Sequence, residues 1–84
     1  MIRILYFARV REQLGRPGED LSADPGLTTA ADIQALLSAR GGIWTEVLGP
    51  EQGVLVAVNQ VLARPEAVIA DGDEVAFFPP VTGG

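Results

Sequence analysis

The sequence predicts an α+β fold, with several short strands and one main helix in 84 residues. Strands are read over residues 1–7, where Ile2, Ile4 and Tyr6 alternate with Arg3, Leu5 and Phe7, and over residues 74–78, a short apolar run after Glu74. Val54, Val56 and Val58 alternate as cleanly ahead of a turn at Asn59-Gln60. One longer stretch, beginning at Thr29, has helical spacing.

Each element follows from its residues. Ile2, Ile4 and Tyr6 alternate with Arg3, Leu5 and Phe7, so apolar groups line both faces and the strand belongs in the middle of a sheet. Val10 and Leu14 share the face of a short helix that Gly15 ends. Arg16-Pro17-Gly18 turns the chain into a second strand over residues 19–23, and Asp24-Pro25-Gly26 is a further turn. Thr29 caps the main helix, with Asp32 near the positive end of its dipole. Ile33, Leu36 and Leu37 form the buried stripe, Arg40 lies in the last turn, and Gly41-Gly42 stops the helix. A shorter helical stretch places Trp44, Val47 and Leu48 on one side before Gly49-Pro50 breaks it. Residues 53–62 read as two short strands, joined where Asn59 tolerates a left-handed conformation. Asp71-Gly72-Asp73 then turns into the last strand, which Pro79-Pro80 ends. The order is ββαββ, with a further strand.

Composition narrows the chemistry. The length suits one core, and a chain this short buries only about 60% of its unfolded surface. No apolar run reaches the roughly 18–20 residues that span a bilayer, and no signal peptide opens the chain, so a cytoplasmic location is expected, away from membranes. There is no Cys, no His and no Lys. Thiolate nucleophiles, imidazole bases and Schiff-base lysines are therefore excluded. A net charge of −5 argues against nucleic acid and suits a basic protein partner. These absences make a self-sufficient enzyme improbable.

The informative stretch is residues 71–84, where an apolar strand runs into two prolines and four residues finish the chain. The prolines fix φ and stiffen the exit. The remaining four residues reach about 13 Å when extended. The reading divides the chain into a domain at residues 1–80 and a reactive tail at residues 81–84. Gly83 and Gly84 have no Cβ, so the end can thread a narrow channel that Val81 and Thr82 also enter. A terminal carboxylate becomes reactive once it is activated as an acyl-adenylate. Sulfur can then displace AMP to leave a thiocarboxylate.

These residues also carry a resemblance. Residues 4–12, the Val58-Asn59-Gln60 hairpin and above all residues 71–84 resemble the small subunits of molybdopterin synthase, the sulfur carriers of molybdenum cofactor biosynthesis. The resemblance implies a ubiquitin-like β-grasp fold, a mixed sheet packed on one main helix, with the first and last strands side by side at its centre. It implies that an activating enzyme adenylates Gly84 with ATP, no cofactor being bound intrinsically. A sulfur donor such as a cysteine desulfurase or sulfurtransferase then forms the thiocarboxylate. The loaded tail enters the large subunit, within an assembly of two small and two large subunits, and supplies sulfur to cyclic pyranopterin monophosphate for the molybdopterin dithiolene. The catalytic side chains are expected on the large subunit.

With those strands adjacent, Phe7 and Phe78 should meet on the outward face with Leu62 nearby, an apolar patch suited to partner docking. Arg11 and Glu12 are candidates for ion pairs with a partner. Trp44 reads as packing beside the main helix. Asp71, Asp73 and Glu74 read as turn chemistry, and no metal is expected. A related carrier for thiamine or cysteine biosynthesis, a protein modifier, and an interaction domain with an inert tail are the alternatives.

Overall fold

The structure, a computed structural model, describes residues 1–80. Its elements are β1 (Ile2–Tyr6), α1 (Ala8–Leu14), β2 (Gly18–Leu21), α2 (Ala30–Ser38), α3 (Ile43–Leu48), a 3₁₀ turn (Pro50–Gln52), β3 (Leu55–Val58), β4 (Val61–Ala63) and β5 (Glu74–Phe78). The sheet order is β2-β1-β5-β3-β4. β1 and β5 pair in parallel, with Ile4 beside Val75 and Tyr6 beside Phe77, and the other neighbours are antiparallel. This is the central pairing and the mixed sheet that the β-grasp resemblance implies.

One face of the sheet builds the core. Ile2, Ile4, Tyr6, Val56, Val75 and Phe77 pack against Ala30, Ile33 and Leu37 of α2, Val47 and Leu48 of α3, and Val10 of α1. Each fully buried large side chain contributes about 1.5–3 kcal/mol.

The sequence places the strongest local signals correctly. Thr29 Oγ1 accepts the Asp32 N–H at 3.2 Å, and the Asp32 carboxylate accepts the Thr29 N–H at 3.0 Å, a reciprocal capping box. The Asp32 carboxylate also takes the Thr28 N–H and hydroxyl, and these bonds hold it below the ordinary aspartate range. The first amides of α2, on Ala30 and Ala31, donate to the carbonyls of Ala67 and Pro65, which ties the loop before β5 to the helix. The β3–β4 turn has φ of 50° at Asn59 and 68° at Gln60, so both central residues are left-handed.

Three details differ from expectation. The second strand is Gly18–Leu21 rather than residues 19–23, because its ladder with β1 runs only from Ile2↔Leu21 to Leu5↔Gly18. Leu36 is 44% exposed and off the buried stripe, where Ala30 takes its place. At roughly 100° per residue, Leu36 falls about 100° from Leu37, beyond the arc that the sheet covers. Arg40 lies past Ala39, the C-cap of α2, so it is outside the last turn.

Arg40 has another task. Its guanidinium donates to both carboxylate oxygens of Glu19, at 2.9 and 2.6 Å, while the Tyr6 phenol donates to Glu19 at 2.8 Å. The same guanidinium lies 4.3 Å from the centre of the Trp44 ring, and Trp44 meets Tyr6 edge-on at 5.8 Å. Trp44 is thus a packing residue that fastens α3 to the β1–β2 edge. The Arg40 bonds hold the Glu19 carboxyl below the ordinary glutamate value, whereas burial, reinforced by Glu19, raises the Tyr6 phenol.

Three outcomes are expected. Thr29→Ala should cost about 1 kcal/mol in denaturant unfolding. Gln60→Gly should raise stability by about 0.5–1 kcal/mol, because glycine takes the left-handed angle without strain; an equal loss would show that the Gln60 side chain makes a contact worth more. Glu19 binds its proton more weakly folded than unfolded, so its contribution is present above the unfolded value near 4.3 and lost as pH falls through the lower folded value. Glu19→Gln should lower the melting temperature at neutral pH and flatten the decline that the natural chain shows below about pH 5. Parallel acid limbs for the two chains would contradict that.

Candidate functional site

Because β1 and β5 are parallel, they finish at the same end of the sheet. Phe7 follows β1, Phe78 closes β5, and their rings stack with centroids 5.0 Å apart and planes 8° from parallel. The Phe7 N–H donates to the Phe77 carbonyl at 3.1 Å, which extends the ladder by one residue and fixes the position of Phe7. Ala8 then takes φ of 50° and turns the chain into α1.

Strand alternation puts Phe78 on the face opposite α2, together with Leu5, Ala76, Leu55, Ala57 and Leu62. The register sorts them into rows. Phe7, Phe78 and Leu55 form one; Gly18, Leu5, Ala76, Ala57 and Leu62 form the next. Leu62 therefore shares the face with the phenylalanine pair but stands in the neighbouring row, 68% exposed. The middle of that second row is flat. Ala57 and Ala76 face each other and are buried, and at Gly18 a Cβ would run into the Ile4 carbonyl. The face thus has a stacked aromatic ridge, a shallow floor and one protruding leucine.

Pro79 and Pro80 continue from Phe78 and line a notch of about 230 Å³ with Arg9, Gln13, Glu46 and Gln52. Gly53, left-handed at φ 68°, abuts Pro80, and a Cβ on it would stand 3.9 Å from the proline ring carbon. A larger groove of about 540 Å³ lies on the helical side, between α2 and the start of β3. Val81, Thr82, Gly83 and Gly84 lie outside the described residues.

The remaining candidates are placed as follows. Arg11 and Glu12 are exposed on α1, and neither makes an ion pair among the described residues. Asp71 pairs with the Met1 amine. The Asp73 carboxylate accepts from the Asn59 side chain at 3.1 Å and the Ala70 N–H at 2.8 Å, and these bonds hold it below the ordinary aspartate range. Among the described residues, no three His, Cys, Asp or Glu side chains gather as metal ligands. Sequence reasoning put Ala76 on the outward face with Phe78 but missed Leu55 in the aromatic row and Ala57 in the floor of the open face. Their alternation with Val56, Val75 and Phe77 was the available signal, but the rows become visible only once the strand neighbours are known.

The chain matches the ThiS family over residues 4–84. It is 44% identical over 85 residues to the molybdopterin synthase sulfur carrier subunit of Escherichia coli, covering 100% of both chains. The corresponding subunit of Haemophilus influenzae is 42% identical over 85 residues, again covering 100% of both. Among solved structures, small archaeal modifier protein 1 of Haloferax volcanii superposes with a TM-score of 0.72 at 29% identity, over 95% of this chain and 97% of that one. The family match and the full-length relatives agree with the central parallel pair seen in the sheet: the chain belongs to the ThiS family, beside the molybdopterin synthase sulfur carrier subunits.

Proposed function

We propose that this chain is the sulfur carrier subunit of molybdopterin synthase and that Gly84 bears the sulfur. The observation that carries the reading is the full-length match to sulfur carrier subunits, which runs through Gly84. The sequence adds a chemical reason. A chain without Cys, His or Lys has no side chain suited to carry sulfur covalently, and a terminal carboxylate remains.

Atoms balance along the route. A carboxylate oxygen of Gly84 attacks the α-phosphorus of ATP on the activating enzyme, and pyrophosphate leaves. Hydrosulfide adds to the acyl carbon, AMP departs, and a thiocarboxylate remains; with a persulfide donor the acyl disulfide first formed is cleaved by a thiol, which leaves as the mixed disulfide. The stacked Phe7–Phe78 pair, with Leu62 and Arg11 around it, docks on the large subunit. Val81, Thr82 and Gly83 carry the thiocarboxylate to the pterin intermediate, where the sulfur is transferred. The chain itself is the carrier, and the catalytic side chains are the large subunit's. All partners are cytoplasmic proteins, in an assembly of two small and two large subunits.

One observation favours a second reading. The small archaeal modifier protein of known structure shares this fold at 29% identity. A modifier would use the same adenylate but pass Gly84 to a lysine of another protein. This chain has no Lys of its own and so could not be its own target.

Intact mass after incubation with the activating enzyme, ATP and sulfide decides between chemistries. The expected result is replacement of one oxygen by sulfur, abolished by deleting Gly84 or by adding one residue after it. An unchanged mass with an enzyme shown to be competent would sink the carrier reading. Phe78→Ala should weaken binding to the large subunit by about tenfold or more while the melting curve stays cooperative, and unchanged affinity by calorimetry would remove the docking role.

A further inference from the structure

α2 shows solvent a face without charge. Ala31, Ala35 and Leu36 are exposed, as is the C-cap Ala39, and the helix's one charged residue, Asp32, is used up in the capping box. A surface helix ordinarily turns charged side chains outward, and 20% of this chain's residues are charged. Beside that face runs the larger groove, about 540 Å³, lined by Ala31, Gln34, Ala35, Leu48, Gly53 and Val54 among others. Pockets that hold a small ligand run from about 300 to 1,000 Å³, so the groove can take a few residues of chain. Among the described residues, no Asp, Glu or Arg lines it.

The strand register puts this groove at the tail exit. Leu55 pairs with Phe78 in antiparallel β3 and β5, so Val54 and Gly53 run alongside Pro79 and Pro80. A Cβ on Gly53 would stand 3.9 Å from the Pro80 ring carbon, and Val54 lines both the groove and the notch that Pro80 borders. Groove and exit are therefore continuous across one glycine. The four residues after Pro80 reach about 13 Å when extended, enough to run past two turns of α2, about 11 Å. Their chemistry matches the groove. Val81 brings one apolar side chain, and Gly83 and Gly84 bring none that must be fitted beside the alanines. At the groove wall the Gln34 amide nitrogen donates to the Leu48 carbonyl at 2.9 Å. An amide nitrogen carries a second N–H, which suits a carboxylate.

We infer that the groove is a resting berth for the chain's own last four residues, with Val81 against Ala35 and Val54 and the Gly84 carboxylate turned to Gln34. The berth lies on the helical side, away from the face that bears Phe78. The tail thus has two positions, folded back and withheld, or forward and open to an enzyme. The contact itself does not depend on the carrier role; its use as a brake on activation rests on the function proposed above. Because the segment is joined directly to the groove, its effective concentration there is on the order of 1 mM. A contact with a dissociation constant of about 0.3 mM, too weak to hold a separate peptide, then seats the tail in most molecules. Activation draws on the free fraction, which raises the apparent KM and leaves the chemical step alone. The net charge of −5 on each chain disfavours the tail of a second copy as the occupant.

Solution NMR on the full chain reads the contact directly. The Val81 methyl protons should show nuclear Overhauser contacts to the Ala31 or Ala35 methyls, and Val81→Ser should shift those alanine signals. Ala35→Arg, at an exposed position, should fill the groove and erase the contacts while the chain still melts cooperatively. With the activating enzyme and ATP, Ala35→Arg should lower the KM for the chain about threefold at unchanged kcat. Ala31→Arg should do the same, which separates release of the tail from a chance contact of one arginine with the enzyme. Alanine signals that ignore Val81→Ser would overturn the inference. So would contacts that fade on dilution, because they assign the groove to the tail of a second copy. Contacts that persist in the natural chain, with the same KM in all three chains, would remove the withholding role. If the contacts are seen and Gly84 is never adenylated by a competent enzyme, the berth stands and the carrier reading falls.

Discussion

The parallel ladder between β1 and β5 joins the two ends of the chain in the middle of the sheet, and every feature of the functional end follows from it. In-register pairing of Ile4 with Val75 and Tyr6 with Phe77 fills the core from one face. The same register, read on the opposite face, brings Phe7 against Phe78. A slip of one residue would exchange the two faces, exposing Phe77 and burying Phe78. The core and the aromatic ridge are thus two consequences of one hydrogen-bond pattern, and neither can be altered by moving the strands without loss of the other.

Polar side chains in this protein serve mainly to fasten elements together. Glu19 gathers Tyr6, Arg16 and Arg40 at one edge, Asp32 closes the start of α2, and Asp73 with Asn59 ties the β3–β4 turn to the start of β5. The Asn59 amide oxygen also accepts the Glu74 N–H at 3.0 Å, so the turn and the last strand hold each other. These groups are consumed within the fold. Among the described residues, what is left for outside use is the open face and three arginines without an ion pair, Arg9, Arg11 and Arg64.

Much of the fold was legible because its signals were local. The alternation in residues 2–6, the apolar run in residues 74–78, the Thr29–Asp32 spacing and the Asn59 turn each depend on neighbours a few residues apart. What escaped depended on distant partners. Leu36 has the spacing of a core residue, and only the width of the sheet beneath α2 shows that the stripe stops at Leu37 and Ile33. Arg40 reads as a cation suited to a helix end, yet Glu19, 21 residues earlier, draws it across to β2. For the site, the pairing of Phe7 with Phe78 needed only the adjacency of two strands. The floor beside it, Ala57 against Ala76, needed the register of β3 as well, which no local pattern supplies. The chemistry assigned to Gly84 was read from residue types and a family resemblance, and so rests on covalent reactivity rather than on packing.

The direction of β5 has a mechanical consequence. Its partner on one side is β1, which is parallel to it and begins at the N-terminus, while β3 holds the other side. A tail drawn forward into another protein pulls β5 along its own axis. That force is shared by the hydrogen bonds of both ladders loaded together in shear, instead of being concentrated on one bond after another as it would be at a peeling edge. Strand β5 thus resists a pull along its axis more strongly than an edge strand such as β4, which is laddered on one side only.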